Sequence, residues 1–422
     1  MTNSTSSNTQ VQLDTIQAYL RAHKLDGWLL YDFRGTNPIA LYVAGLQRSG
    51  TRRWFLWIPQ SGRPVWLIHA IEGNNFVDVS PQVDGEKRSY VSWQELSSAL
   101  AQLVGARPNA PLRVAMEYSP DCAIPYVSKV DAGTLELVHA ATGAEVVSSA
   151  DLVQLVQAVL TSAQLASHRR AVAHCMGAKE SAIDFIRAAF ADDRPITEYD
   201  VQQHIMDHYT RVGLDTTYSP AVAVNAFAAD PHYHPSAARH NPICRGDMLL
   251  LDIFERETGD PLNCLADITW TFFCGTTTPP KVAQVFNVVA AARDAAVSFI
   301  QQRLDTGQPV YGYEVDEHSR NVIKEAGYGQ YIMHRTGHSL GTSVHHNGVN
   351  IDNLETQDRR SLIPGVLFTI EPGIYMPHFN FDDGPTPKGL GIRSEINCYM
   401  HADRVEVTTL PLQTEVEAIL DS

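Results

Sequence analysis

The 422-residue chain has no uninterrupted apolar run approaching the roughly 20 residues that span a bilayer. Nothing in it asks for a membrane. Its opening segment, MTNSTSSNTQ, carries neither the basic patch nor the apolar stretch of a secretory signal and is expected to be a frayed tail. Basic residues are also short: 32 Lys and Arg stand against 47 Asp and Glu, a formal net charge of -15. That balance argues against nucleic acid or an anionic membrane surface as the main partner. The acidity by itself asks for nothing beyond solubility. The six cysteines, Cys122, Cys175, Cys244, Cys264, Cys274 and Cys398, are scattered without a C-x-x-C. A disulfide framework or a zinc knuckle is therefore not expected, and reduced, mostly buried thiols in a cytoplasmic protein are. Low-complexity segments and short-period repeats are missing as well.

What is present is an ordinary globular composition, 44% hydrophobic and 19% charged, in a chain long enough for two or three domains. Residues 11–24 read as a helix with Val11, Leu13, Ile16 and Leu20 near one face, and Trp28–Tyr31 as a short buried strand. Trp54–Ile58 and Val65–His69 flank the turn-rich PQSGRP and predict a hairpin. Val91–Val104 reads as helix, and Arg113–Tyr118 and Leu135–Val138 as strands. This alternation predicts an α/β domain over residues 1–160.

Beyond it the pattern changes. Apolar residues recur at helical spacing over 164–187, and a second helix opens at Thr197, where Asp200 completes a capping box. Further helices are predicted over Val282–Arg303 and Glu314–Ala326, the latter stopped by Gly327. Met248–Phe254 pairs with Ile268–Phe273, and Val366–Ile370 with Ile392–Met400. Strands and helices that do not alternate strictly predict an α+β domain with an antiparallel sheet over 161–422.

Within that second domain, four acids and one histidine sit in or beside apolar runs: Asp252 in LLLDIF, Asp267 in LADITWTF, His338 in HRTGHSLG, Glu371 in FTIEPGIY and Glu395 in GIRSEIN. An ionised group buried without a partner is costly. A divalent metal is a common partner for such a set, and oxygen ligands with one imidazole suit Mn, Fe, Co or Zn. Asp252 is read at the end of one strand and Asp267 at the start of the next, with ERETGDPLNC as the loop between them. Glu371 and Glu395 repeat the device around MPHFNFDDGPTPKG, and His338 lies in a glycine-flanked GHSLG where backbone can approach a ligand. Any one of these acids alone would more often be a salt-bridged or surface residue. The set favours a two-metal site.

In this order the segments GDMLLLDIF, ADITWTF, HRTGHSLG, TIEPGIY and GIRSE resemble the metallopeptidases of the prolidase and aminopeptidase P group. The pita-bread fold of that group is shared with methionine aminopeptidase and creatinase. The resemblance implies an α+β pita-bread catalytic domain preceded by a smaller creatinase-like α/β domain. It implies that Asp252, Asp267, His338, Glu371 and Glu395 hold two divalent ions, Mn foremost, with Asp267 and Glu395 bridging. A hydroxide shared by the two ions would attack the peptide carbonyl, with Glu371 as general base. His232 of PHYHPS matches the family's first-half histidine, with His234 as its alternative. His345 matches the histidine that contacts the carbonyl or the tetrahedral intermediate, and His334 a substrate-side or supporting one. Arg393 matches a family arginine whose fork would hold a carboxylate of substrate or of a ligand, a plain structural ion pair being as good a reading. The chain departs from the family at His346, where an acid is usual, and at Ile396, where Asp is usual.

The implied reaction is cleavage of an Xaa-Pro bond at a free N-terminus in small peptides, a tertiary amide that resists ordinary peptidases. The dipeptidase (prolidase) activity is slightly favoured over an aminopeptidase P activity on longer peptides. A dipeptidase needs a cation for the proline carboxylate. Arg393, Arg335 and Arg34 of YDFRGTNP are the candidates, Arg34 coming from the N-terminal domain of this or a partner subunit. A metal-free creatinase-like hydrolase or a non-catalytic binding protein would be expected to have lost ligands, and none is lost here. A homodimer is a further expectation of the resemblance.

Overall fold

The computed structural model describes residues 12–106, 110–382 and 384–420. Val11 and the expected N-terminal tail lie outside them. The chain divides into two compact units between Gln157 and Ala158.

The first unit is built on a six-stranded sheet of β1 (Gly27–Asp32), β2 (Trp54–Pro59), β3 (Val65–His69), β4 (Glu86–Tyr90), β5 (Arg113–Met116) and β6 (Glu145–Ser148), in the order β4-β3-β2-β1-β5-β6. β1 runs antiparallel to β2 and β2 to β3, while β4, β5 and β6 join in parallel. Helices α1 (Leu13–Ala22), α2 (Pro38–Ala44), α3 (Trp93–Val104), α4 (Ala132–Thr142) and the short α5 (Ala150–Val153) complete it. The central strands are apolar throughout because both faces are covered. Trp28, Leu30, Trp54 and Trp66 pack with Ile16 and Leu20 of α1 and Val43 of α2. Leu29, Tyr31, Phe55 and Leu67 point the other way, to Leu96 and Leu100 of α3 and Val138 of α4. The hairpin across PQSGRP forms as read. Leu135–Val138, read as a strand, is instead the middle of α4. Asp131 caps that helix by accepting the Thr134 N–H at 2.9 Å, and Gly143 ends it in a left-handed conformation. A four-residue apolar run carries too little periodicity to separate the two forms; the caps decide.

The second unit contains α6 (Ser162–Ala191), α7 (Glu198–Val212), β7 (Ala221–Val224), β8 (Met248–Glu255), β9 (Ala266–Phe273), α8 (Pro280–Asp305) and α9 (Gly312–Glu325). These are followed by β10 (Ser339–Leu340), β11 (Leu367–Ile370), β12 (Gly373–Met376), β13 (Leu390–Arg393), β14 (Ile396–Met400), β15 (Val405–Val407) and β16 (Glu417–Ala418). The strands form sheets β16-β9-β8-β7, β10-β11-β14-β15 and β12-β13. Capping boxes open α6 at Thr161–Gln164 and α7 at Thr197–Asp200. Alternation along β8 and β9 places Leu249, Leu251, Ile253, Ile268 and Phe272 against α6 and α7. In β11 and β14, Phe368, Ile370, Ile396 and Cys398 pack with Ala296 and Ile300 of α8. By length and composition α8 could cross a membrane; here its apolar face, including Val282, Phe286 and Val289, packs in the core. With the helices on the outer faces, the inward positions of the sheets are left to polar residues.

The second expected hairpin is really two. β11 pairs with β14 up to Ile370↔Ile396, and β12 pairs with β13 from Gly373↔Arg393. Both strands break at the same level, at Glu371–Pro372 and Ser394–Glu395, and both acids lie in the break. Glu255, read as the start of a polar loop, instead completes β8 and is buried.

Candidate metal centre

β8 and β9 present their acids on one inward face. Asp252 pairs with Thr269 and Phe254 with Asp267, so Asp252, Asp267 and Thr269 share that face. Glu371 and Glu395 come from the opposed breaks of the other two sheets. His338 immediately precedes β10, alongside β11: its N–H donates to Thr369 Oγ1 at 2.9 Å, and its carbonyl accepts the Thr369 N–H at 2.8 Å. A side chain at the preceding Gly337 would place its Cβ 2.1 Å from the Thr369 carbonyl oxygen. The bare glycine thus admits a neighbouring strand, rather than the close backbone–ligand approach read from the sequence.

The five groups converge. Ligand atoms of Asp267, His338 and Glu395 all lie within 4.8 Å of one another. His338 Nε2 is 3.2 Å from Glu371 Oε1 and 3.6 Å from Asp267 Oδ2. Asp252 joins through Arg393, whose Nη2 donates to its Oδ2, and its charge bears on both Asp267 and Glu395.

The electrostatics call for cations. Asp267, His338 and Glu395 are only 4%, 4% and 3% exposed. Burial, followed by the charges of Asp252 and Glu371, pushes the Asp267 carboxyl far above the usual carboxylate range. Burial and the Asp267 charge do the same to Glu395. Burial lowers the His338 imidazole to about 3, so it is neutral. Its Nδ1 lies 3.1 Å from the Ser339 carbonyl, an acceptor, so Nδ1 carries the hydrogen and the Nε2 lone pair faces the acids. Four carboxylates and an imidazole lone pair are thus gathered around one guanidinium. Among the described residues, Asp252 Oδ1 and Glu395 Oε1 are buried without a hydrogen-bond partner. This donor set fits divalent cations.

A supporting layer, which sequence reasoning missed, holds the ligands. Thr269 Oγ1 accepts from Arg393 Nε at 2.8 Å and donates to Glu395 Oε2 at 2.7 Å. Thr369 Oγ1 lies 3.1 Å from Glu371 Oε1. Tyr375 Oη receives Arg393 Nη1 at 3.4 Å and lies 2.6 Å from His334 Nε2. The available signal was the period of two along β9, which puts Thr269 on the face of Asp267.

The other expected residues divide. His345 packs its ring edge-on against His338, at 4.5 Å between centroids, and burial together with His338 lowers it to about 4. His334 is one step removed: its Nδ1 lies 2.6 Å from the Arg335 carbonyl, and its Nε2 accepts from Tyr375. Arg393 gives its fork to Asp252, Thr269 and Tyr375, so the carboxylate it holds here is that of Asp252. His232 and His234 are both exposed, and the residue between them, Tyr233, is buried with its hydroxyl on Glu198 at 2.6 Å. Among the described residues, no hydrogen bond, ion pair or ring contact joins either histidine to the five converging groups. Arg335 is buried, with Nη1 3.6 Å from Glu355. Arg34 belongs to the first unit, exposed in the turn after β1 with left-handed backbone, φ 60°.

Residues 166–402 match the model of metallopeptidase family M24, more than half of the chain. The chain belongs to that family. It is 29% identical over 185 residues to an uncharacterized peptidase of Staphylococcus epidermidis, covering 43% of this chain and 47% of that one. It is 31% identical over 183 residues to an uncharacterized peptidase of Schizosaccharomyces pombe, covering 43% and 38%. The match therefore spans less than half the length of these relatives. Among solved structures, the dipeptidase PepE of Mycobacterium ulcerans superposes with TM-score 0.71 at 22% identity, over 98% of this chain and 99% of that one. The prolidase of Pyrococcus horikoshii gives 0.60 at 20% identity, over 96% and 99%. The X-Pro aminopeptidase of Thermotoga maritima gives 0.61 at 19%, over 96% and 99%. These likenesses carry the fold: a pita-bread unit behind an N-terminal unit.

Proposed function

We propose that the protein is a hydrolase with two divalent metal ions that cleaves the Xaa-Pro bond at the free N-terminus of small peptides, foremost of dipeptides. The observation that carries this is the convergence of Asp252, Asp267, His338, Glu371 and Glu395 on one buried site with more negative charge than Arg393 offsets. The oxygen-rich set with one imidazole favours Mn, with Co, Zn or Fe as alternatives. When bound, the two ions would polarise the scissile carbonyl and acidify the attacking water.

The chain's own groups supply the rest. Glu371 takes a proton from the water on its carboxylate as the oxygen adds to the carbonyl carbon. It passes that proton to the proline nitrogen as the C–N bond breaks, leaving a free carboxylate and a free amine. His345, neutral near pH 7 because of its lowered pKa, donates an N–H to the carbonyl oxygen as negative charge builds there. Arg393 and Thr269 hold Asp252 and Glu395 in place. The reading includes a cytoplasmic homodimer.

Metal analysis and one pair of substrates test it. Purified protein is expected to hold close to two equivalents of metal per chain. With Mn²⁺ supplied, cleavage of Ala-Pro but not Ala-Pro-Ala marks a dipeptidase, and cleavage of the tripeptide marks an aminopeptidase. Turnover of neither peptide sinks the proposal.

A further inference from the structure

Beside His345 lies a cleft of about 470 Å³, and apart from His345 its groups have no task in the hydrolytic chemistry. It is lined by Asp215, Tyr218, Phe254, Glu255, Arg256 and His345 among others, all of the second unit. It continues from the metal centre: His345 packs on His338, and Phe254 lies on the inward face two residues from Asp252.

Glu255 is the unexplained group. It ends β8, is 2% exposed, and its Oε2 accepts the Arg256 N–H at 3.1 Å. Its Oε1 is buried with no hydrogen-bond partner among the described residues. A buried carboxylate oxygen left unpaired is costly and calls for a donor. The adjacent Arg256 bears on Glu255 through its charge but directs its Nη1 to the carbonyls of Pro261 at 3.0 Å and Thr342 at 2.8 Å. Asp215 adds a second acid, with Oδ1 accepting from the Thr217 hydroxyl at 2.6 Å. Tyr218 and Phe254 supply aromatic faces, which also attract cations. Burial, followed by the Asp215 charge, raises the Glu255 carboxyl to about 7; a bound cation would favour its ionised form.

We propose that this cleft takes a protonated amine of the peptide substrate, with Glu255 Oε1 as its main acceptor and Asp215 as its second. The proposal rests on the peptidase reading, which makes peptides the ligands. The amine has two sources, the α-amino group of the N-terminal residue or the side chain of a lysine there. If the first, the cleft measures the free N-terminus; if the second, it selects basic residues before the scissile bond.

Calorimetric titration of the metal-loaded protein with three probes tests this without relying on turnover. L-alaninamide carries only the α-amine, Nα-acetyl-L-lysinamide only the side-chain amine, and Nα-acetyl-L-norleucinamide neither. One or both of the amines is expected to bind at least tenfold more tightly than the neutral probe, and whichever does identifies the source. Glu255→Gln is expected to remove that preference and Asp215→Asn to weaken it several-fold. Equal binding of all three probes overturns the assignment, as does a Glu255→Gln protein that melts normally and keeps the wild-type preference. Should Glu255→Gln fail to fold, the Asp215→Asn protein decides, and an unchanged preference there overturns the assignment. Ala-Pro turnover measured alongside separates the two readings. No turnover with an intact amine preference sinks Xaa-Pro hydrolysis alone, and turnover without any amine preference sinks the cleft alone.

Discussion

Asn397 and Asp267 are joined by a closed pair of hydrogen bonds. Asn397 Nδ2 donates to the Asp267 carbonyl at 2.6 Å, and its Oδ1 accepts the Asp267 N–H at 3.0 Å. Asn397 lies on β14 and Asp267 on β9, so this side chain satisfies backbone groups that no neighbouring strand reaches and ties two sheets together at Asp267. Asn397→Ala would strip both groups of their partner, at about 1–3 kcal/mol each. Urea denaturation is expected to show a loss of about 2–4 kcal/mol, and metal affinity to fall on the order of tenfold as the Asp267 backbone loosens. A loss well under about 1 kcal/mol would show that the pair does not hold the sheets.

Thr269 stands between two charged groups, receiving Arg393 Nε and donating to Glu395 Oε2. Thr269→Val keeps the shape and removes the hydroxyl, leaving a buried guanidinium N–H and a buried carboxylate oxygen each short of a partner. Metal affinity in a Mn²⁺ titration is expected to drop about 10–100-fold, the usual effect of losing such an orienting contact. Thr269→Ser restores the hydroxyl and should return close to the wild-type value. If the Val and Ser proteins bind alike, the hydroxyl does not orient Glu395.

The roles assigned to the acids are separable from the fold. Asp267 sits on β9 and Glu371 in the break after β11, both with side chains facing the centre rather than the hydrophobic layers. Asp267→Ala and Glu371→Ala are therefore expected to abolish Ala-Pro hydrolysis while the circular dichroism spectrum stays that of the wild type. Turnover retained in either variant would refute that residue's role.

How much of this was legible in the sequence depends on how local the cause is. The β2–β3 and β8–β9 pairs and the Thr197 cap follow from neighbours within a few residues, and each was readable. Leu135–Val138 misled because its caps, Asp131 and Gly143, outweigh a run too short to show a period. The twin break at Glu371–Pro372 and Ser394–Glu395 escaped notice because strand register is set by residues far apart in the chain. The four acids and His338 were visible as polar groups out of place in or beside apolar runs. Their supports were not: a threonine or asparagine in a strand is unremarked until its partner, over a hundred residues away for Thr269 and Glu395, is known. Glu255 was assigned to a loop for a similar reason, since the residues beside it, Asp215, Tyr218 and the segment after Gly341, are distant in the chain.

His168 offers a measure of stability that leaves the metal site untouched. It is fully buried on α6, with Nδ1 2.7 Å from the Leu265 carbonyl and Nε2 2.7 Å from Thr408 Oγ1. It therefore ties the helix to the segments before β9 and after β15. Burial lowers its pKa from the ordinary 6.5 to about 4. The folded protein keeps this ring neutral down to about pH 4, whereas the unfolded chain takes up a proton below about 6.5. Its contribution is thus fully present above the unfolded value and is lost as pH falls from 6.5 towards 4. Other groups titrate over the same range, so the comparison to make is with His168→Gln, which cannot bind the proton. The wild type's stability advantage over that variant, from urea denaturation at a series of pH values, is expected to shrink by roughly 3 kcal/mol between neutrality and pH 4. An advantage that stays constant, or grows as the solution is acidified, would mean that the folded protein accommodates the charged ring and that burial does not hold it neutral.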